Sequence, residues 1–169
     1  MVILGYIGMI VGFGCLGMIR AAQIKRRPQE IRDLINALAL LDTEIYWGVV
    51  PLPEAFRVLK ERTDLPWKSF FAALEAEIMN GTNASAAWEK CIREQRRCSS
   101  LLDEDWKVIR SIGQGLGRSD RNEQHKQLEL GQRHLQAVDE KARKQADGKA
   151  KMWSYLGFLG GMVIVIMII

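Results

Sequence analysis

The chain has 169 residues, three cysteines, and 24 Lys and Arg against 20 Asp and Glu, for a formal net charge of +4. So few cysteines, one of them (Cys15) inside an apolar run, exclude a disulfide framework. The roughly 130 residues between the two apolar ends suffice for one hydrophobic core.

Met1 to Ile19 is uncharged, glycine-rich and apolar. A bilayer core about 30 Å thick takes about 20 residues of helix, so residues 1–20 are expected to cross a membrane. A cleaved signal peptide would need a positive leading segment and a small-residue cleavage site. No Lys or Arg precedes Arg20, so an uncleaved anchor is the expectation. Gly5, Gly8 and Gly12 fall on one helical stripe, where small residues allow another helix to approach closely. Arg20, Lys25, Arg26 and Arg27 follow as a basic flank.

Pro28 opens the first helix of the central region, with Ile31, Leu34, Ile35, Leu38, Leu41, Ile45 and Val49 recurring at three- and four-residue steps. It is expected to stop near Gly48, before the Pro51-Leu-Pro53 turn. A short second helix runs from Pro53 through Arg62. Asp64 caps a third, with Trp67, Phe70, Phe71, Leu74 and Ile78 on one face, and Asn80-Gly81 ends it. Asn83 or Thr82 caps the fourth, whose stripe is Ala84, Ala87, Trp88, Cys91 and Ile92. After a break at Ser99-Ser100, a fifth helix faces Leu102, Trp106, Ile109 and Leu116 inward and ends in the glycines at 113, 115 and 117.

Ser119 or Asp120 caps the sixth helix. Leu128, Gly131, Leu135, Val138 and Ala142 then form a short seam of coiled-coil type. Nothing stops this helix before the second apolar run, so it is predicted to cover about 50 residues, or about 75 Å at 1.5 Å per residue, with Gly148 as the expected hinge. Lys141, Arg143, Lys144, Lys149 and Lys151 precede that run, and Gly157 and Gly161 repeat a four-residue spacing within it.

The predicted fold is all-α. A six-helix antiparallel bundle (28–151) lies between transmembrane helices at 1–20 and 153–169, the latter continuous with the last bundle helix. Both basic clusters lie on the bundle side, which places the bundle in the cytoplasm and both termini on the far face. The flanks Arg20, Lys25, Arg26, Arg27, Lys149 and Lys151 are suited to anionic lipid, at about 1 kcal/mol per basic residue near the surface. They lack the interleaved aromatics that stack bases, so no nucleic-acid partner is expected.

No segment suggests catalysis, a cofactor or a metal. Gly113-Gln-Gly115-Leu-Gly117 lacks the preceding strand and the Gly-Lys-Ser/Thr ending of a phosphate loop. His125 and His134, nine apart, point to opposite sides of a helix. Cys91 and Cys98, seven apart, could share a face as small buried hydrophobes. Asn80-Gly-Thr and Asn83-Ala-Ser match the glycosylation pattern, but helix capping explains them equally well. The densest charge cluster on the bundle, Arg118, Asp120, Arg121 and Glu123, is either a solvated face or a docking surface for a protein.

Several separated segments carry a family resemblance. Leu41 to Ala55 (LDTEIYWGVVPLPEA), Ala87-Trp88, Gly115-Leu-Gly-Arg-Ser-Asp120, Gln124 and Leu156-Gly-Phe-Leu-Gly-Gly161 together resemble the stage III sporulation protein AB family over almost the whole chain. The resemblance implies a subunit of the channel joining mother cell and forespore, seated in the mother-cell membrane. It also implies a soluble part similar to the six-helix cytoplasmic domain of the type II secretion platform protein. Its implied partners are a cytoplasmic secretion-type ATPase and other membrane channel subunits, and it carries over no catalytic residue. Glu44, Asp120 and Gln124 are expected to act as polar ties between helices. The competing readings are a membrane-bound nucleotide-binding enzyme, hinted at only by the glycines at 113–117, and a lipid-binding adaptor acting through the basic flanks.

Overall fold

A computed structural model describes the backbone of residues 2–117 and 120–168. It describes side chains over 22–117 and 120–152, together with Ile19, Tyr155 and Leu159. Six helices account for it: α1 (Val2–Tyr46), α2 (Leu52–Arg62), α3 (Trp67–Met79), α4 (Ala84–Gln95), α5 (Asp103–Gln114) and α6 (Arg121–Ile168). No strand occurs among the described residues. The chain divides into two compact units, one formed by Gln29–Asp139, the other by Met1–Pro28 with Glu140–Ile169.

The unit Gln29–Asp139 is a helical bundle. Connections of four to seven residues oblige consecutive helices to run antiparallel, and α2 to α5 each pack on their chain neighbours. The core takes Leu34, Leu38 and Leu41 from α1, Phe56 and Leu59 from α2, and Trp67, Phe70, Phe71 and Leu74 from α3. Trp88 and Ile92 join from α4, Trp106 and Ile109 from α5, and Leu128 and Leu135 from α6. Phe70 meets Trp67 and Trp88 edge-on at ring-centroid distances of 5.4 and 5.1 Å, the geometry favoured by the ring quadrupole.

Buried indoles need partners for their N–H groups. Trp67 Nε1 donates to the Glu30 carbonyl at 2.8 Å, and Trp88 Nε1 donates to the Ile109 carbonyl at 2.9 Å. Glu30 also uses its side chain. Its buried carboxylate accepts from Ser99 Oγ at 2.6 Å and from the Ser100 backbone N–H at 3.1 Å. One residue of α1 thus secures both the start of α3 and the α4–α5 connection.

Glycines mark where helices approach most closely. A Cβ at Gly113 would lie 2.0 Å from Trp88 Cδ1, and one at Gly131 would lie 2.5 Å from Ile112 Cγ1. Gly117, at φ +74°, takes the left-handed conformation that releases the chain from α5.

Four local expectations change. First, α1 does not begin at Pro28 but runs through it, with the proline ring buried. The missing N–H deprives one carbonyl of its helical partner, yet the buried Ile31, Leu34 and Leu38 just beyond hold the helix in place. Second, Val49 leaves the apolar stripe. Trp47 and Gly48 N–H both reach the Thr43 carbonyl, and Val50 N–H reaches the Glu44 carbonyl at 3.1 Å, which ends α1 with Val49 at φ 57° and 53% exposed. Third, Leu102 is half exposed, and Leu101 takes the inward position because α5 starts only at Asp103. Fourth, Asp64 caps nothing with its side chain: α3 starts later, at Trp67, so the Asp64 carbonyl accepts from Lys68 N–H instead. Asn83 does cap α4, its Oδ1 accepting from Ser85 N–H at 3.0 Å.

The second unit is built differently. In α6, Ala142, Ala146 and Ala150 are buried at four-residue spacing, while Lys141, Arg143, Lys144, Lys149 and Lys151 are exposed. Lys25 and Arg26 are exposed and Arg27 is half-buried. The Lys144 ammonium, hydrogen-bonded to Glu140 at 2.7 Å, holds that carboxyl below its usual range. Helix α6 passes Gly148 without interruption, with open space where a Cβ would be. Among the described residues, no helix is long and apolar enough to cross a membrane. The packing of Gly5, Gly8, Gly12, Cys15, Gly157 and Gly161 lies outside the described residues, as does the Arg20 side chain.

Candidate functional site

Three connections converge at one end of the bundle: α1–α2, α3–α4 and α5–α6. A Cβ at Gly117 would lie 3.2 Å from Leu52 Cδ1 and 3.3 Å from the Ala84 Cβ, so the three chain reversals share one cap. The α6 N-terminus carries the charges of the predicted docking cluster. Asp120 Oδ1 accepts from Glu123 N–H at 2.8 Å, so Asp120 is the α6 cap rather than a tie between helices. Arg121 and Glu123 are exposed in the first turn, and Glu123 Oε1 accepts weakly from Gln127 Nε2 at 3.4 Å. Arg118 and Ser119 lie outside the described residues. Of the other two expected ties, Glu44 is half-buried beside Gly48, and Gln124 is half-buried in α6.

The polar tie between α1 and α6 is a pair that sequence reading did not assemble. His125 Nδ1 donates to Asp42 at 2.7 Å, and the imidazole stacks on Tyr46 with ring centroids 4.4 Å apart at 22°. Tyr46 in turn supports Trp47, edge-on at 5.1 Å. Trp47 is 77% exposed. Asp42 and His125 are 83 residues apart in the chain, and no spacing rule links them. At the opposite end of the α1–α6 contact, Arg32 Nε lies 3.8 Å from the buried Asp139.

The remaining candidates have structural roles. Gly113 receives Trp88, Gly115 receives Gln127 and Gly117 adopts a positive φ, so close packing and chain reversal account for all three glycines. His134 lines an open groove of about 390 Å³ between α5 and α6, together with Ser111, Gln114 and Gln127, far along α6 from the His125 stack. Cys91 is buried in α4, but Cys98 lies beyond the end of that helix and is exposed, so the two do not form a buried pair on one face; both line a second groove, between α3 and α4. Burial pushes the Cys91 thiol up to about 11, so it stays protonated and unreactive. Among the described residues, no group of three or more His, Cys, Asp or Glu could hold a metal ion. The basic flank residues Lys25, Arg26, Arg27, Lys149 and Lys151 all belong to the other unit.

Similar proteins match almost the whole chain in sequence and about three quarters of it in structure. The family model for stage III sporulation protein AB matches residues 2–169. Stage III sporulation protein AB of Bacillus subtilis (strain 168) is 29% identical over 167 residues, covering 98% of both chains. A solved structure of a stage III sporulation protein AB superposes with a TM-score of 0.68 at 29% identity, covering 72% of this chain and 97% of the other. This chain, an all-α protein built around a helical bundle, therefore belongs to the stage III sporulation protein AB family.

Proposed function

We propose that this sporulation-family protein is a non-enzymatic membrane platform. Its two apolar runs cross the mother-cell membrane around the forespore, and its bundle faces the cytoplasm. There the bundle engages a secretion-type ATPase of the sporulation complex while the spans meet other channel subunits. The observation carrying this reading is the segregation of charge. The unit containing both apolar runs has nine Lys and Arg against two Asp and Glu, whereas the bundle has fifteen against eighteen. Cations concentrated next to apolar spans favour an anionic cytoplasmic leaflet. A near-neutral bundle whose buried polar groups serve helix caps and ties is suited to binding proteins rather than to chemistry.

The test is co-sedimentation. The full chain is reconstituted in vesicles containing phosphatidylglycerol and mixed with the purified ATPase, with and without nucleotide. ATPase retained by loaded but not by empty vesicles is the expected result. No retention in either nucleotide state would remove the platform reading.

A further inference from the structure

Helix α3 buries one side and leaves the other without a neighbour. Trp67, Phe70, Phe71 and Leu74 enter the core, while Ser69, Ala72, Ala76 and Met79 follow one another at three- and four-residue steps on the opposite side. Ser69 and Ala76 are exposed and Ala72 is half-buried. Large exposed apolar residues stand at both ends of this ridge, Leu65 at 74% and Met79 at 72% accessible. The outward side of a surface helix is ordinarily charged, yet the ridge from Ser69 to Met79 carries no charge over about 15 Å.

Charges flank the ridge on both sides, and most are engaged within the chain. Toward α2, Glu75 pairs with Lys60 at 2.8 Å; toward α4, Glu77 pairs with Lys90 at 2.6 Å. Farther out on α2, Arg57 pairs with Glu54 and has Glu61 one turn beyond it. On α4, Arg93 stands one turn from Glu89, the partner of Arg110 in α5, so it belongs to the α5 side. Arg96 is taken by Asp103, and Arg97 lies past the end of α4. Two charges remain. Lys68, two turns before Glu75, shares its α2 flank, is exposed and enters no ion pair among the described residues. Glu94 adds to the field on Lys90 one turn away but has no ion pair of its own among the described residues. It lines the groove beside Leu65, Ser69 and Ala73, which sets it on the α4 flank at the level of Lys68.

We propose that this face of α3 binds the same face of a second copy of the chain, the two α3 helices lying parallel about a two-fold axis. The face is its own complement. A parallel two-fold sets the α2 flank of each copy against the α4 flank of the other, so Lys68 of each chain meets Glu94 of the other and the pair forms twice. Leu65 and Met79 then each meet their own counterpart, and the small residues between them let the helix axes approach to about 8 Å. An antiparallel pair would join like flanks instead. Lys68 would then face Glu75, which Lys60 already neutralises, and Glu94 would gain no cation. This contact is independent of the platform reading.

Sedimentation velocity of the full chain in detergent, over a range of protein-to-detergent ratios, tests it. The wild type should be a dimer that dissociates on dilution. Lys68→Glu and Glu94→Lys should each weaken association about tenfold or more, because each sets like charges together at two places. The double variant exchanges the two charges and should recover most of the loss. Lys68 and Glu94 form no pair within the chain, so that recovery reports a contact between chains. Ala76→Arg places a charge at the centre of the ridge and should leave a monomer, with its helical circular dichroism intact because the position is exposed. A wild type that is monomeric at every ratio would overturn the proposal, as would a double variant no stronger than the single ones. A dimer indifferent to Ala76→Arg would assign association to the apolar runs and overturn it as well. None of these outcomes touches retention of the ATPase by loaded vesicles, so the platform reading stands or falls on its own test.

Discussion

The bundle and the second unit, a stem formed by Met1–Pro28 with Glu140–Ile169, use opposite means to bury a helix face. In the bundle, helices are separated and aligned by large side chains, with Trp67, Trp88 and Trp106 all at most 2% exposed. In the stem, the buried positions of α6 among the described residues are alanines spaced by four, and the unit's charge is strongly positive. A core of interlocking aromatics fixes one arrangement, because every volume has a matching hollow. A face of alanines specifies close approach but little lateral detail. Two described glycines show the contrast: Gly113 in the bundle is a hollow for the Trp88 indole, whereas Gly148 in the stem has open space where a Cβ would be.

The largest test of that difference is Gly113→Ala. The new Cβ falls on the Trp88 indole, so urea denaturation of the full chain should show a loss of about 2–3 kcal/mol, despite the better helix propensity of alanine. Next in size is Glu30→Gln, which keeps the shape but removes the charge from the acceptor of Ser99 and Ser100. The expected cost is about 1–2 kcal/mol, with hydrogen exchange quickened at Ser100 and Leu101 ahead of the rest of the bundle. The smallest effect has the opposite sign. Gly148→Ala meets nothing within 4 Å and should raise stability by up to about 1 kcal/mol, read as a higher melting temperature. If it instead left folding intact but disabled sporulation, the stem glycine would be a hinge after all.

Helix periodicity made most of the bundle legible. Six helices, the α4 cap at Asn83 and the seam at Leu128, Gly131 and Leu135 all follow from spacing and cap chemistry. What escaped has physical reasons. Pro28 reads as a helix start because proline suits the first turn, and only tertiary packing around Ile31 and Leu34 carries the helix through it. Leu101 and Leu102 are adjacent, so a start shifted by one residue decides which is buried. Val49 fits the three- and four-residue pattern in sequence, but the Val50-to-Glu44 hydrogen bond ends the helix before the pattern reaches it. The Asp42–His125–Tyr46 cluster joins the first and last helices, and contacts of that separation leave no local signature.

Helices α1 and α6 are each shared by both units, and this limits how the chain can change length. A residue inserted in α6 between Asp139 and Lys151 turns all that follows by about 100° and advances it by about 1.5 Å. The alanine face would then point away from its packing side, and the basic residues would take its place. Insertions of seven residues leave a phase error of only about 20°, so relatives with longer or shorter stems should differ by whole pairs of turns, with α1 altered to match. Register in these two helices therefore sets which insertions the chain can accept.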